Sequence, residues 1–337
     1  TKMGAFDFME KLLSLDGLLT TVRRALGESS PVDKGENGEI SARSFSGVNA
    51  APNAKSAKKA QPVLKQRTLK KSVVVAGQGL HSGLKTGIIL HPLPPNSGIV
   101  FSGISGDTAV PAHLDYVYST GYATSLQGKG IVVGTVEHFL AALHSYRVSN
   151  LLVKIEGEIP ILDGSALEFC QLIEEAGIEE QEGNCSEIII DQRYSVEMEE
   201  GEWIAVEPGE TFGVRYVLNY PKPVGKQEYS YLYRGPESFK HEIAPARTFG
   251  FVRDIEKLEK MGLVNGGRLS NCILIDDDKI INTDLRYQEE LARHKILDII
   301  GDFYLLGRPI RGRVTAHMTG HRDNVALLKE IKKGMSL

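Results

Sequence analysis

Hydrophobic positions change their period along this chain, and the changes mark its parts. Across residues 1–27, Phe8, Leu12, Leu15, Leu19, Val22 and Leu26 recur at intervals of four and three, which predicts a helix with one apolar stripe. Residues 28–66 are rich in Ser, Gly, Asn, Ala and Lys and nearly empty of large apolar side chains. Such a segment cannot offset its own ordering entropy, so it reads as a flexible linker. From Thr68 short β-branched runs take over, SVVVAGQGL, TGIILHP and GIVFSG, punctuated by Gly and Pro as strands are. A helical period then returns in TVEHFLAALHSYRV, with Thr135 as its expected N-cap. A strand LLVKIE, a loop PILDGSA and a helix ALEFCQLIEEAG follow.

The second half starts with strands again, SEIIID, YSVEM, WIAVEP and GVRYVLNY. It ends on a helix RYQEELARHKILDIIGD, a strand GRVTAHM, a tight loop TGH and a last helix NVALLKEIKK. Helix, strand, loop and helix therefore occur in the same order twice, a weak internal repeat. Strands followed by helices in each half predict an α+β fold, with each domain's helices packed on one face of a mostly antiparallel sheet. Regular strand–helix alternation with a GxGxxG turn, the mark of a doubly wound dinucleotide fold, is absent. The expected divisions are a helix at 1–27, a linker at 28–66, and two domains at 67–184 and 185–337.

Composition narrows the function classes. A length of 337 residues suits two domains at ~150 residues each. With 24% charged residues and a net charge of -4, the chain has no basic excess to attract nucleic acid. Cys170, Cys185 and Cys272 are scattered without a CxxC, so neither a disulfide framework nor a cysteine zinc site is indicated. No apolar run approaches the ~18 residues of a membrane span, and no basic stretch followed by an apolar one opens the chain. A cytoplasmic protein is the expectation. Residues 1–27 carry Lys2, Lys11, Arg23 and Arg24 against Asp7, Glu10 and Asp16, too weakly basic for a bilayer anchor, and the helix is expected to contact another protein or to be a loosely docked appendage.

The candidate chemistry lies on the two repeated helices. His294, Asp298 and Asp302 fall four apart, so they share one helix face, and an imidazole and a carboxylate there can converge on one ion. Leu291, Ile296, Leu297, Ile299, Ile300 and Phe303 would pin that helix in a core. The competing reading is a surface histidine in a weak pair. In the first half Glu137 and His138 are adjacent, so one can bind metal while the other, as general base, reaches a water whose pKa the metal lowers to ~7. A helix start with a dipole-paired glutamate is the bland alternative. His144, six residues on, faces away, and His91, His113, His241 and His317 have no acidic partner at useful spacing. His321, in the loop after a strand, can be aimed into a cleft and held protonated by Asp302 as a general acid.

Taken together in order, TVEHFLAAL with EIPILDGSA, then ARTFGF, RHKILDIIGD and TAHMTGH resemble the zinc-dependent UDP-3-O-acyl-N-acetylglucosamine deacetylases of lipid A synthesis. The resemblance runs from about Thr68 to Leu337. It implies two similar domains with helices inside and sheets outside, each bearing a small insert, and an active site between them. It implies zinc, with iron(II) an alternative in the cell, on His138, His294 and Asp298. Glu137 would be the base and His321 the acid, with Lys295 and Asp302 completing the polar shell. Thr248 would polarise the scissile carbonyl and Phe249 would pack on substrate. His81 of GLHSG falls in the family's active-site region, and Asp163 reads either as a partner of a ligand histidine or as a turn residue. The cysteine that many relatives carry is Ala123 here, and residues 1–66 have no counterpart. The implied reaction is hydrolysis of the N-acetyl group of UDP-3-O-(3-hydroxyacyl)-N-acetylglucosamine. Two other readings stay open: a non-catalytic nucleotide-sugar or acyl-chain binding protein, and a different zinc amidohydrolase.

Overall fold

The computed structural model describes residues 64–105, 108–198 and 200–337. The apolar stripe at 1–27 therefore lies outside the described residues. Six helices are described: α1 (Glu137–Tyr146), α2 (Leu167–Ala176), α3 (Pro236–Glu242), α4 (Val252–Lys260), α5 (Glu290–Phe303) and α6 (His321–Met335).

Two five-stranded sheets carry the architecture, and they have the same topology. In the first, the order is Val73–Gln78, Lys85–Pro92, Leu151–Ile155, Ile99–Ser102, Ala109–Pro111. In the second it is Tyr194–Glu197, Trp203–Glu207, Arg313–His317, Gly213–Asn219, Lys226–Leu232. Reading across either sheet, the pairings are antiparallel, antiparallel, parallel and antiparallel. In each the middle strand is the one that follows a buried helix, α1 or α5, and precedes a second helix, α2 or α6. The repeat seen in the sequence is thus a repeat of fold, and the fold class is the expected α+β.

Burial explains the layers. All ten residues of α1 are buried, and α5 exposes no apolar side chain to solvent, because the two helices pack on each other between the sheets. Gly301 sets their closest approach. A Cβ there would lie 2.0 Å from the Glu137 carbonyl oxygen, so only glycine lets the backbones meet. The main core cluster runs through both halves, from Leu69 to Ile331, and a small second one joins Leu93, Val100 and Leu152. Leu151–Ile155 is buried along its whole length because its other face also packs, Leu152 against Leu93 and Val100.

Each half carries a small insert. The first is a four-stranded sheet ordered Gly157–Glu158, Ile131–Gly134, Ser125–Gly128, Val117–Ser119. In the second, α4 joins the parallel strands Phe249–Phe251 and Ile273–Ile275. Several boundaries differ from expectation. A strand, Leu64–Leu69, pairs antiparallel with Ile178–Cys185, so the last residues of the stretch read as linker belong to a strand. Thr135 does not cap α1: its φ is 57°, Val136 stands at the N-cap, and the threonine hydroxyl donates instead to Glu158 Oε1 at 2.8 Å. Residues 286–289 stay outside α5, since the Arg286 N–H is taken by the Glu290 side chain. At the other end α6 starts three residues earlier than its apolar period, so His321 is the first helical residue and not part of a loop.

Candidate functional site

The α1–α5 contact brings the two halves' polar residues together. His138 Nε2 lies 3.7 Å and His294 Nε2 3.5 Å from the same atom, Asp298 Oδ1. One ligand atom from each of the three residues falls within 4.8 Å of the others, and all three side chains are buried. The imidazole planes stand at 90° with centroids 4.9 Å apart, so the nitrogens converge without the rings stacking. Among the described residues Asp298 Oδ1 accepts no hydrogen bond, while Oδ2 takes one from Lys295 Nζ at 2.8 Å. A buried carboxylate oxygen without a donor, facing two imidazole nitrogens, fits a divalent cation.

Protonation states agree with that use. Burial, then the neighbouring His294, pushes the His138 imidazole down to about 3, and burial likewise lowers His294. Neutral imidazole is the ligating form. Burial disfavours a charged Asp298, but Lys295 and the nearby histidines outweigh it and hold the carboxyl below its usual range. Burial also opposes charge on Lys295, and Asp298 overcomes it, so the ammonium is held above its ordinary value. His294 Nδ1 donates to the Ala246 carbonyl at 3.1 Å, which leaves Nε2 to face Asp298.

Two further groups flank the cluster of His138, His294 and Asp298. Glu137 is buried next to them, and its carboxyl is raised by burial to about 7. Its Oε2 accepts the Thr124 N–H at 3.1 Å, leaving Oε1 3.8 Å from His321 Nε2. His321 Nδ1 donates to Asp302 Oδ2 at 2.8 Å, and Nε2 also faces Asp298 Oδ2 at 4.0 Å. Burial lowers this imidazole, yet the Asp302, Glu137 and Asp298 carboxylates raise it to about 9. Asp302 is fixed in turn by the Thr124 hydroxyl at 2.6 Å and Asn324 Nδ2 at 2.8 Å.

The remaining residues named from sequence line the same cavity of about 220 Å³: Thr248, Phe249, Lys295 and His81. Phe249 stands 6.1 Å from the His294 ring. A larger cavity of about 1030 Å³ adjoins it, sharing His81 and Tyr122, and Ala123 lines that one. Asp163 is the turn residue of its two readings: Oδ1 accepts the Ser165 N–H and hydroxyl, and Oδ2 binds Arg286. His144 is buried away from the site against Phe212 and Tyr304.

Sequence reasoning missed Thr124, Asn324 and Glu158. Glu158 accepts the His81 and Ser82 N–H groups at 2.9 Å each, together with the Thr135 hydroxyl, and so anchors the GLHSG turn beside the site. None of the three has a spacing signal, because each acts on residues remote in sequence, as Thr124 does on Asp302, 178 positions away.

Residues 66–333 match the UDP-3-O-acyl N-acetylglycosamine deacetylase family. A UDP-3-O-acyl-N-acetylglucosamine deacetylase of Myxococcus xanthus is 43% identical over 270 residues, 79% of this chain and 86% of the relative. Its namesake from Acidithiobacillus ferrooxidans is 43% identical over 277 residues, 80% and 90% of the two chains. The Haemophilus influenzae protein of the same name is 41% identical over the same span. With a family match that covers most of its length and relatives this close, the chain belongs to the UDP-3-O-acyl N-acetylglycosamine deacetylases.

Proposed function

We propose that the chain hydrolyses the acetamide of a UDP-3-O-acyl-N-acetylglucosamine and releases acetate, the reaction of lipid A synthesis that the family resemblance implies. The observation that carries this reading is the convergence of His138, His294 and Asp298 with Glu137 and His321 beside them. A non-catalytic binding protein has no need of a base raised to about 7 and an acid raised to about 9 on either side of a ligand triad. The cation assigned to the triad is zinc, and the same two-histidine, one-carboxylate set also suits iron(II). The same reading divides the body into domains at 184/185, leaves residues 1–66 outside the chemistry, and places the enzyme in the cytoplasm.

When bound there, the cation supplies Lewis acidity that polarises the amide carbonyl and acidifies a water. Everything else is done by the chain. Glu137 Oε1 takes the proton of the attacking water. Protonated His321 Nε2 delivers a proton to the departing amine nitrogen, while Asp302 keeps Nδ1–H in place. The Thr248 hydroxyl donates to the amide oxygen as negative charge grows on it. Lys295 neutralises Asp298 Oδ2, to which its ammonium donates. Phe249 and His81, which line the cavity, pack against the substrate.

Alanine at His138, His294 or Asp298 tests the assignment. Each variant is expected to lose bound metal by elemental analysis and, with it, acetate release from the acylated UDP-sugar. A variant that keeps a full equivalent of metal at parental affinity removes that residue from the ligand set. Equal rates with and without the 3-O-acyl group would instead identify a different amidohydrolase.

A further inference from the structure

Glu290 and His294 stand one helical turn apart on α5, and both reach the same peptide group. His294 Nδ1 donates to the carbonyl of Ala246 at 3.1 Å, and the N–H of Arg247 donates to Glu290 Oε1 at 3.1 Å. That carbonyl and that N–H belong to one amide plane, held at one end by an imidazole and at the other by a carboxylate. Glu290 is wholly buried. Its oxygens are closed by the Arg247 side chain, Nε at 2.8 Å and Nη2 at 3.1 Å, which is itself tied to the Thr283 hydroxyl and the Asp284 carbonyl. Thr248, the next residue along, is pinned by its N–H to the Gly164 carbonyl at 2.7 Å.

We infer that Glu290 is a positioning residue for His294, acting through the single peptide group that joins Ala246 to Arg247. The inference rests on the assignment of His294 as a metal ligand. A carboxylate accepting from an amide N–H polarises that amide and makes its carbonyl the stronger acceptor, as in any hydrogen-bonded chain at low dielectric. The stronger acceptor holds Nδ1–H more firmly, fixes the tautomer that offers Nε2, and raises the basicity of the ligand. Direct carboxylate partners of ligand histidines have this effect, and here an amide is interposed. The same clasp holds the backbone one residue before Thr248, which lines the cavity with His294.

Three variants separate this relay from a merely structural ion pair. Glu290→Gln removes the charge from the peptide N–H. Glu290→Gln with Arg247→Gln does the same without stranding a buried guanidinium, and so stays folded if the single variant does not. Arg247→Lys loosens the ion pair but leaves the carboxylate on the amide. Zinc affinity is read by competition with a chelator, and the hydrogen bond by the His294 Nδ1–H proton resonance of the metal-free protein. Both glutamine variants are expected to bind zinc about tenfold more weakly, the lower end of what loss of a direct partner costs. Their Nδ1–H resonance moves upfield, while Arg247→Lys keeps the parental affinity and resonance. Parental zinc affinity in the folded double variant, or an equal loss in Arg247→Lys, overturns the inference. Zinc that survives His294→Ala would instead undo the ligand assignment beneath it.

Discussion

Glu137 and His321 face each other beside the cluster of His138, His294 and Asp298, and as the proposed base and acid they have opposite requirements. The base works ionised and the acid works protonated, so the rate rises as Glu137 loses its proton and falls as His321 loses its own. In the protein alone burial raises the carboxyl to about 7, and the surrounding carboxylates raise the imidazole to about 9. A bound cation lowers both, since positive charge favours the deprotonated form of each. The expected profile of kcat/KM is a bell with its acid limb at or below pH 7 and its alkaline limb at or below pH 9. Glu137→Gln should remove the acid limb and His321→Gln the alkaline one, each lowering kcat by about a hundredfold or more while metal content holds. Near-parental turnover in both variants would show that these two residues are not the acid and base.

At the scale of elements, the meeting of α1 with α5 decides whether those residues face each other at all. Gly301 is the hinge of that argument, with no room for a Cβ against the Glu137 carbonyl. Gly301→Ala gains about 1 kcal/mol of helix propensity but overpacks the contact by about 1–3 kcal/mol, so a net loss is expected. The melting temperature should fall, and kcat should fall further than the stability change accounts for, because Glu137 moves with its backbone. A higher melting temperature with unchanged kcat would mean that the helices do not bear on each other there. This contact was not legible in the sequence, where Gly301 reads only as a gap in an apolar run. The residues that converge were legible, because His294 and Asp298 share a face through helical spacing and His138 stands next to Glu137 at the start of the other helix. Thr124, Glu158 and the Arg247–Glu290 clasp were not, since a side chain whose partner is remote in sequence leaves no period behind it. Helix α4 does leave a period, Val252, Ile255 and Leu258 three apart, but over nine residues only and with none of them buried.

For the whole molecule, the repeated topology and the division of labour between halves were readable from the order of elements. The sheet pairings and the two inserts were not, because edge strands such as Lys226–Leu232 alternate polar and aromatic residues without a strong apolar signature. Every residue assigned to the chemistry lies after Leu64, where the first described strand begins. Removing residues 1–63 is therefore expected to leave kcat and metal content unchanged. A truncated protein that folds but loses turnover on soluble substrate would show that the extension completes the site. The triad also draws His138 from one half and His294 with Asp298 from the other. An ion held there would join the two halves across their seam and would favour the folded chain by mass action, about 2.7 kcal/mol at a free concentration one hundred times its dissociation constant. Starved of metal, the molecule would lose its catalyst and the fastening between its halves in a single event, which makes its lifetime, and not only its rate, a gauge of the available ion.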